Sequence, residues 1–258
     1  MKHLDLFSGI GGFALAARMV GGIDTQQFVE IDPYCQKVLT KNFPGVPIYG
    51  DITTFTAKPE QFDIITGGFP CQDNSTANQR GRGLDGDRSG LWFEMLRIIG
   101  ESKPRFVVVE NVPPLVSRRW DVVVRSGLES MGYQTEALRL SAREVGAGHL
   151  RKRLFIIAYT LRFRLDKGKN ANQIIGSQMQ VAKSPWWEST GDLRRGNSGR
   201  VFLLPRSWAC GMDDGIPRRM DGSRLKALGN AVVPQVAAIV LQRVLELNDR
   251  KIYSVLTQ

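Results

Sequence analysis

Gly67-Gly68-Phe69-Pro70-Cys71-Gln72 sets a cysteine just past a strand-like run, Phe62-Asp63-Ile64-Ile65-Thr66, and ahead of a polar, glycine-rich loop. A thiolate is strongly nucleophilic, and the end of a buried strand holds it rigidly while the following loop closes over a substrate. A second reactive group ends another apolar run, Lys103-Pro104-Arg105-Phe106-Val107-Val108-Val109-Glu110-Asn111-Val112-Pro113. A carboxylate there is costly to bury unless paired or used, and partial burial raises its pKa so that it can share or donate a proton to a ring nitrogen. A thiolate beside such an acid suits conjugate addition to a pyrimidine, in which attack at C6 makes C5 an enamine carbon nucleophile. Arg151-Lys152-Arg153 precedes a third run, Leu154-Phe155-Ile156-Ile157, where basic groups suit a substrate carbonyl or phosphate.

Leu4-Asp5-Leu6-Phe7-Ser8-Gly9-Ile10-Gly11-Gly12-Phe13-Ala14 reads as strand, glycine turn and helix start, a place where backbone approaches a ligand closely. It satisfies G-x-G-x-x-[G/A] through Gly9, Gly11 and Ala14. Glu30 ends the next strand-like run, where a carboxylate accepts hydrogen bonds from ribose hydroxyls. Asp51, in Gly50-Asp51-Ile52, supplies an acceptor for an adenine amino group. These features fit NAD, FAD and S-adenosylmethionine alike, because each contains an adenosine.

The elements that must position these groups follow from hydrophobic periodicity. Strands are predicted near 3–7, 26–31, 47–50, 62–67, 105–111, 134–141 and 153–160, and helices at 12–20, 33–42, 91–100 and 119–131. Strands alternating with crossover helices predict an α/β fold with a Rossmann-like, doubly wound, mostly parallel sheet, whose ligand crevice lies beyond the strands' C-terminal edge. Residues 161–222 are rich in Gly, Arg, Asn and Ser and show no clear period, although Val201–Leu204 suits a short strand. A helical pattern resumes at Pro234, with Val236, Ile239, Val240 and Val244 making an apolar stripe down to Leu247. The predicted organisation is a discontinuous catalytic domain, 1–160 plus 223–258, and a small irregular domain at 161–222.

Charge is unevenly placed. Arg151–Lys226 carries 16 Lys+Arg against 6 Asp+Glu, whereas the rest of the chain carries 19 of each, so the whole net charge of +10 sits in one segment. A concentrated basic segment on a neutral body is the footprint of a polyanion partner, most simply nucleic acid. Cys35, Cys71 and Cys210 are odd in number and widely spaced, which fits a reducing compartment. Two histidines, no CxxC and no HExxH leave zinc and Ser/His/Asp chemistry without parts. The most apolar stretch, Val232 to Leu241, is interrupted by Pro234 and Gln235 and is too short to span a bilayer, and no signal peptide is read at the start. The expectation is a soluble, cytoplasmic, metal-free monomer.

Taken together these motifs closely resemble the DNA (cytosine-5)-methyltransferase family. The order matches throughout: the Asp5–Gly12 loop, Glu30, Gly50-Asp51-Ile52, Gly68-Phe69-Pro70-Cys71-Gln72, Glu110-Asn111-Val112, Arg151-x-Arg153, and Leu228-Gly229-Asn230-Ala231-Val232-Val233-Pro234. The resemblance implies an S-adenosylmethionine pocket lined by Phe7, Ser8, Gly9, Ile10, Gly12, Glu30, Ile31, Asp51, Ile52, Pro70, Leu91, Asn230 and Val232. It makes Cys71 the covalent nucleophile, puts Glu110 on N3 and the amino group of a flipped cytosine, and gives Arg151 and Arg153 the support of the ring. Gln72–Gly90, with Arg80, Arg82 and Arg88, reads as a lid over duplex DNA. Residues 161–222, with Arg194 and Arg195, occupy the place of the target-recognition region. A cognate restriction endonuclease is a further expected partner, unless the chain is an orphan or phage protective methylase. The sequence departs from the family pattern at Asp73-Asn74-Ser75-Thr76-Ala77 and at His149. A zinc deaminase needs a second cysteine at position 74, which is Asn, and a nucleotide-dependent oxidoreductase leaves the Pro-Cys-Gln and Glu-Asn-Val motifs unexplained. A catalytically silent DNA-binding relative and an RNA cytosine-5 methyltransferase stand as the alternatives.

Overall fold

The computed structural model describes residues 1–70, 90–112, 120–147, 150–160, 193–195, 201–203 and 218–256. Strands β1 (Lys2–Leu6), β2 (Asp24–Val29), β3 (Ile48–Tyr49), β4 (Ile64–Gly67), β5 (Phe106–Asn111), β6 (Tyr133–Ser141) and β7 (Lys152–Thr160) form one sheet in the order β3-β2-β1-β4-β5-β7-β6. The pairs β2–β3, β1–β2, β1–β4 and β4–β5 are parallel. Strand β7 is antiparallel to both neighbours, β5 and β6, so it alone is reversed in this sheet. The predicted Rossmann-like α/β fold is the observed one, with this reversal added. A separate antiparallel pair joins β8 (Leu193–Arg195) to β9 (Val201–Leu203).

Strand periodicity sorts side chains onto two faces. Leu4 and Leu6, Ile65, Val107 and Val109, and Leu154 and Ile156 point to one core. There they meet helix α3 (Leu91–Ser102), through Trp92, Met95, Ile98 and Ile99, and helix α4 (Trp120–Ser130), through Trp120, Val124 and Leu128. Ile64, Phe106, Val108, Phe155 and Ile157 point the other way. That face is covered by α1 (Gly12–Val20), through Phe13, Ala16 and Ala17, and by the C-terminal helix α6 (Pro234–Leu256), through Val236, Ala237, Val240, Leu241, Val244 and Leu247. Helix α2 (Pro33–Asn42) starts on Asp32, whose side chain accepts hydrogen bonds from the Tyr34 and Cys35 amides, and its Leu39 packs with Ala14, Phe28 and Phe43. Burying the Val/Leu/Ile/Phe side chains on both faces stabilises each by about 1.5–3 kcal/mol relative to exposure, which makes the sheet a rigid platform for what projects from its edges.

The α1/α6 face of the sheet also holds a buried polar chain. Thr25 Oγ1 meets His3 Nδ1 at 2.9 Å, His3 Nε2 meets Thr66 Oγ1 at 2.8 Å, and Thr66 Oγ1 donates to Asp5 Oδ1 at 2.7 Å. One proton arrangement satisfies the whole chain: neutral His3 donates from Nε2 to Thr66 and accepts from Thr25 at Nδ1. Burial lowers the His3 pKa from 6.5 to about 3, so the ring is neutral at physiological pH.

Helix α5 (Arg218–Asn230) was not among the predicted elements. Its sequence, Arg-Arg-Met-Asp-Gly-Ser-Arg-Leu-Lys-Ala-Leu-Gly-Asn, contains two glycines and no continuous apolar stripe, so periodicity gives no signal there. The stretch Gly222–Asp249 is long and apolar enough, by composition, to cross a membrane. It comprises parts of two helices broken between Asn230 and Pro234, and the apolar face of the second is buried in the core. The expected lid at Gln72–Gly90 lies outside the described residues except for Gly90, as does most of 161–222.

Candidate active site

Because β1, β2, β3, β4 and β5 run parallel, their C-terminal ends share one edge, and the predicted cofactor residues gather along it. Phe7, Ser8, Gly9, Ile10 and Gly12 form the turn from β1 into α1. Gly9 and Gly11 have φ of 53° and 86°, and Phe7, at 52°, also lies in the left-handed region that disfavours a side chain. Such a conformation in a non-glycine residue marks a turn held in place by its surroundings. Here Ser8 accounts for the holding: its amide donates to the Val29 carbonyl at 3.2 Å and its hydroxyl to the Asp5 carbonyl at 2.6 Å. A Cβ built on Gly9 meets nothing within 4 Å, so the ground before it is open. On Gly12 the same atom falls 2.5 Å from Val232 Cγ1 and 2.8 Å from the Val232 carbonyl oxygen, so the segment after α5 is pressed directly onto the glycine turn.

Glu30 follows β2. Its Oε2 accepts the Gly9 amide at 2.6 Å and its Oε1 accepts the Asp32 amide at 2.8 Å. Burial raises its pKa, and the hydrogen bonds from Asp32 and Gly9 oppose that rise. The carboxylate therefore ties the glycine turn to the start of α2, with further lone pairs to offer. Ile31, beside it, is 71% exposed, an apolar surface at the mouth of the same turn. Asp51 follows β3, where the Thr53 amide and hydroxyl donate to its Oδ1 and hold its pKa below the usual carboxylate value. Ile52 is buried beside it. Leu91 opens α3, Pro70 follows β4, Asn230 ends α5 and Val232 lies between α5 and α6.

The second cluster forms around Glu110, which is 8% exposed at the end of β5. It shares the sheet face of Phe106 and Val108, and its cross-strand partner is Phe155. Arg153 lies two residues nearer the start of β7, on the same face, and reaches diagonally so that its Nε sits 2.8 Å from Glu110 Oε1. This is an ion-pair contact and not an aligned hydrogen bond, because Oε1 has no partner of hydrogen-bond geometry. Burial raises the Glu110 pKa, against the opposing charges of Arg153 and Arg151. The other oxygen, Oε2, lies 2.8 Å from where a Cβ on Gly68 would be, so Gly68 is the floor against which the carboxylate rests.

Asn111, one residue on, donates from Nδ2 to the Phe69 carbonyl at 3.2 Å. Phe69 itself packs between Trp92 and Trp120, at ring-centroid distances of 5.7 and 5.9 Å. The segment that delivers Pro70 is thus fixed by a side chain from the strand carrying Glu110. Asn111 stands in the Glu110-Asn111-Val112 motif without a role of its own in the sequence reading, and the structure gives it this anchoring contact. Its signal is a buried amide following a strand-end carboxylate, since such a group must find a partner.

Arg151, expected beside Arg153 on the substrate ring, turns elsewhere. Its Nη2 donates to the carbonyls of Gly229, at 2.9 Å, and Ala231. Cys71, Arg80, Arg82 and Arg88 lie outside the described residues. Arg194 and Arg195 lie in β8, opposite Phe202 and Val201.

The edge therefore offers two adjoining provisions: a glycine turn flanked by a carboxylate and an exposed apolar residue, and a buried acid of raised pKa paired to a guanidinium. Comparison with known proteins gives the same pairing a context. The profile of the C-5 cytosine-specific DNA methylase family matches residues 1–196. The chain is 36% identical over 165 residues to the type II methyltransferase M2.BsuMI of Bacillus subtilis, covering 61% of this chain and 42% of that protein. It is 32% identical over 207 residues to the type II methyltransferase M.NgoBV of Neisseria gonorrhoeae, covering 72% and 49%. The chain thus spans less than half the length of these relatives. The fold is similar to that of the S. pombe Dnmt2 methyltransferase, with a TM-score of 0.58 at 20% identity over 73% of this chain and 57% of that one.

Proposed function

The chain belongs to the C-5 cytosine-specific DNA methylase family, and from that premise we propose that it methylates C5 of a cytosine flipped out of duplex DNA, using S-adenosyl-L-methionine. The observation that carries this reading is the convergence of Glu110, Arg153 and the Gly68–Pro70 segment on the edge that also bears the Phe7–Gly12 turn and Glu30.

The residues present fit the methyl donor. Glu30 has carboxylate lone pairs for ribose hydroxyls, exposed Ile31 offers a face for adenine, and Asp51, held ionised by Thr53, accepts from an adenine amino group. The open ground before Gly9 leaves room for the remainder, bounded by Phe7, Ser8, Ile10, Gly12, Ile52, Pro70, Leu91, Asn230 and Val232. When bound, this donor supplies a sulfonium methyl group to a carbon nucleophile.

The chain's own groups create that nucleophile. The Cys71 thiolate forms a bond to C6 of the cytosine, and the C5–C6 π electrons move onto C5 as an enamine. Glu110, whose pKa burial raises, gives its proton to N3 and accepts from the exocyclic amino group, so the ring never carries a full negative charge. Arg153 fixes the carboxyl in that orientation. Once C5 is methylated, N3 returns its proton to Glu110, the C5 proton passes to a solvent-derived base, and its bonding electrons re-form the C5–C6 double bond as the C6–S bond breaks and the thiolate leaves. Holding these groups on the rigid strand ends supplies proximity and preorganised electrostatics, the two largest general sources of acceleration. Residues 161–222, with Arg194 and Arg195, act as the target-recognition domain beside a catalytic domain of 1–160 plus 223–258, and Arg80, Arg82 and Arg88 engage phosphates around the extruded base. The chain serves as a protective methylase, alone or beside a restriction endonuclease.

The test is direct. Purified protein is incubated with unmethylated duplex DNA and the donor, and bisulfite conversion then reads protected cytosines in a defined sequence context. A duplex carrying 5-fluorocytosine, which cannot lose a C5 proton, should trap wild type covalently and leave Cys71→Ala unbound to it. Absence of both protection and trapping refutes the reading.

A further inference from the structure

Arg151 and Arg153 stand two residues apart at the start of β7, yet they end on different targets. Arg153 closes on Glu110 at 2.8 Å. Arg151 closes on main chain: its Nη2 is shared by the carbonyls of Gly229 and Ala231, which bracket Asn230. Gly229 lies in the last turn of α5, where carbonyls have no partner within the helix and where a cation complements the helix dipole. One residue beyond Ala231, Val232 is pressed on Gly12 so closely that no Cβ fits between them. A continuous set of contacts therefore runs from Glu110 through Arg153 and the start of β7 to Arg151, then through the 229–232 segment onto the glycine turn.

Two further observations bear on Arg151. Its backbone φ is 22°, a region a non-glycine residue occupies only when its surroundings hold it there. Its Nε is buried without a hydrogen-bond partner, so the guanidinium is committed through its far end alone. Burial and the neighbouring Arg153 lower its pKa to about 10, which leaves it cationic at neutral pH. Two guanidiniums this close repel each other, and each is held by a separate acceptor set: a carboxylate for Arg153, helix-end carbonyls for Arg151.

We infer that Arg151 is a positioning residue for the methyl-donor pocket: it clasps the Gly229–Ala231 segment, and through it sets Asn230 and Val232 against the glycine turn. The inference rests on the proposed function for the identity of the ligand, but the clasp is a property of the chain itself. It divides the labour of the Arg-x-Arg motif, with Arg153 serving the base-binding acid and Arg151 the donor pocket.

The experiment compares Arg151→Met with Arg153→Met, using amide hydrogen exchange of the ligand-free protein and calorimetric titration with S-adenosylhomocysteine. Losing a charged hydrogen-bond pair at a helix end should speed exchange of the Ala231 amide, which donates to the Ala227 carbonyl at 3.0 Å, by about tenfold or more in Arg151→Met, and weaken S-adenosylhomocysteine by about tenfold. Arg153→Met should change both by less than about twofold. If Arg151→Met does not fold, Arg151→Lys, which keeps the charge without the planar fork, should show the same ordering. Exchange in either Arg151 variant that matches wild type overturns the clasp, as does an equal effect of both arginines. Faster exchange at Ala231 with no binding of S-adenosylhomocysteine to wild type supports the clasp and refutes the donor assignment instead.

Discussion

Gly68→Ala is the substitution that most directly interrogates the arrangement at Glu110. The added methyl carbon falls 2.8 Å from Glu110 Oε2, while ordinary contact begins near 3.4 Å, so the carboxyl must retreat by about 0.6 Å. The carboxyl is rigid, so Oε1 moves with Oε2, and its 2.8 Å approach to Arg153 opens by a comparable amount. No positive φ is involved at Gly68, so the backbone accepts alanine and the fold is retained. What suffers is alignment. A hydrogen bond between the carboxyl and the cytosine ring, involving a charged group, contributes roughly 1.5–3 kcal/mol, and losing about half of that in the transition state lowers kcat by about 4–13-fold. The assay is single-turnover methyl transfer from labelled S-adenosylmethionine to an unmethylated duplex, with S-adenosylhomocysteine affinity as a control that should not move. A double-mutant cycle sharpens the result: in a Glu110→Gln background, where the charge is already gone, Gly68→Ala should cost little more. A Gly68→Ala rate within twofold of wild type would refute the idea that this glycine sets the carboxyl's position, and so would an unchanged cost in the Glu110→Gln background.

Three other outcomes are expected. Gly12→Ala places a carbon 2.5 Å from Val232 Cγ1 and 2.8 Å from its carbonyl oxygen, so backbone must shift and S-adenosylhomocysteine affinity should fall by about tenfold or more in calorimetry; unchanged affinity would separate Val232 from the donor pocket. His3 has a pKa of 6.5 when unfolded and about 3 when folded, so the unfolded chain takes up the proton first and stability drops on acidification below 6.5, by about 1.4 kcal/mol at pH 5.5 and about 4 kcal/mol near pH 3. Urea unfolding of His3→Asn should lack this component, and parallel pH profiles for the two proteins would rule it out. Glu110 has the opposite sign: burial raises its folded pKa above the ordinary 4.5, so stability contributed by its protonated form is lost as pH rises from 4.5 through the raised value, and Glu110→Gln should remove that loss in the same measurement.

Most of the sheet was legible because its strands are short apolar runs. Phe106–Val109 is buried on both faces, and Pro33 and Pro234 sit at first helical positions, where their missing amide costs nothing. The glycine turn was legible as well, since positive φ at Gly9 and Gly11 is what those residue types are suited to supply. Other features had no such mark. Helix α5 carries no apolar period, and its place is set by what it touches: Lys226 lies 3.5 Å from Asp32, and Arg151 donates to the Gly229 carbonyl in its last turn. The His3–Thr66–Asp5 chain was invisible because its members lie 61 and 63 residues apart, joined only by the pairing of β1 with β4. Arg151 and Arg153 look equivalent in sequence, and only the position of the 229–231 carbonyls distinguishes them.

The reversal of β7 is the feature on which the site depends most heavily. Residues that begin a strand and residues that end one share an edge only if the two strands run in opposite directions. In a wholly parallel sheet the start of β7 would lie at the far edge from the end of β5, about 15–20 Å away for strands of this length. Reversal instead sets Glu110 opposite Phe155 and leaves Arg153 a diagonal step away on the same face. The neighbour on the other side explains why the cation must come from β7. Strand β4 pairs Gly67 with Val109, and Gly68 follows it, so that flank of the carboxylate has backbone and no side chain. A buried acid bordered by glycine on one side has a single adjacent strand from which to draw compensation. The same glycines keep that flank low enough for the chain to pass to Phe69 and Pro70. Room beside the acid and charge for it are thus supplied from opposite sides of β5, and exchanging either neighbour's residue type would remove one of them.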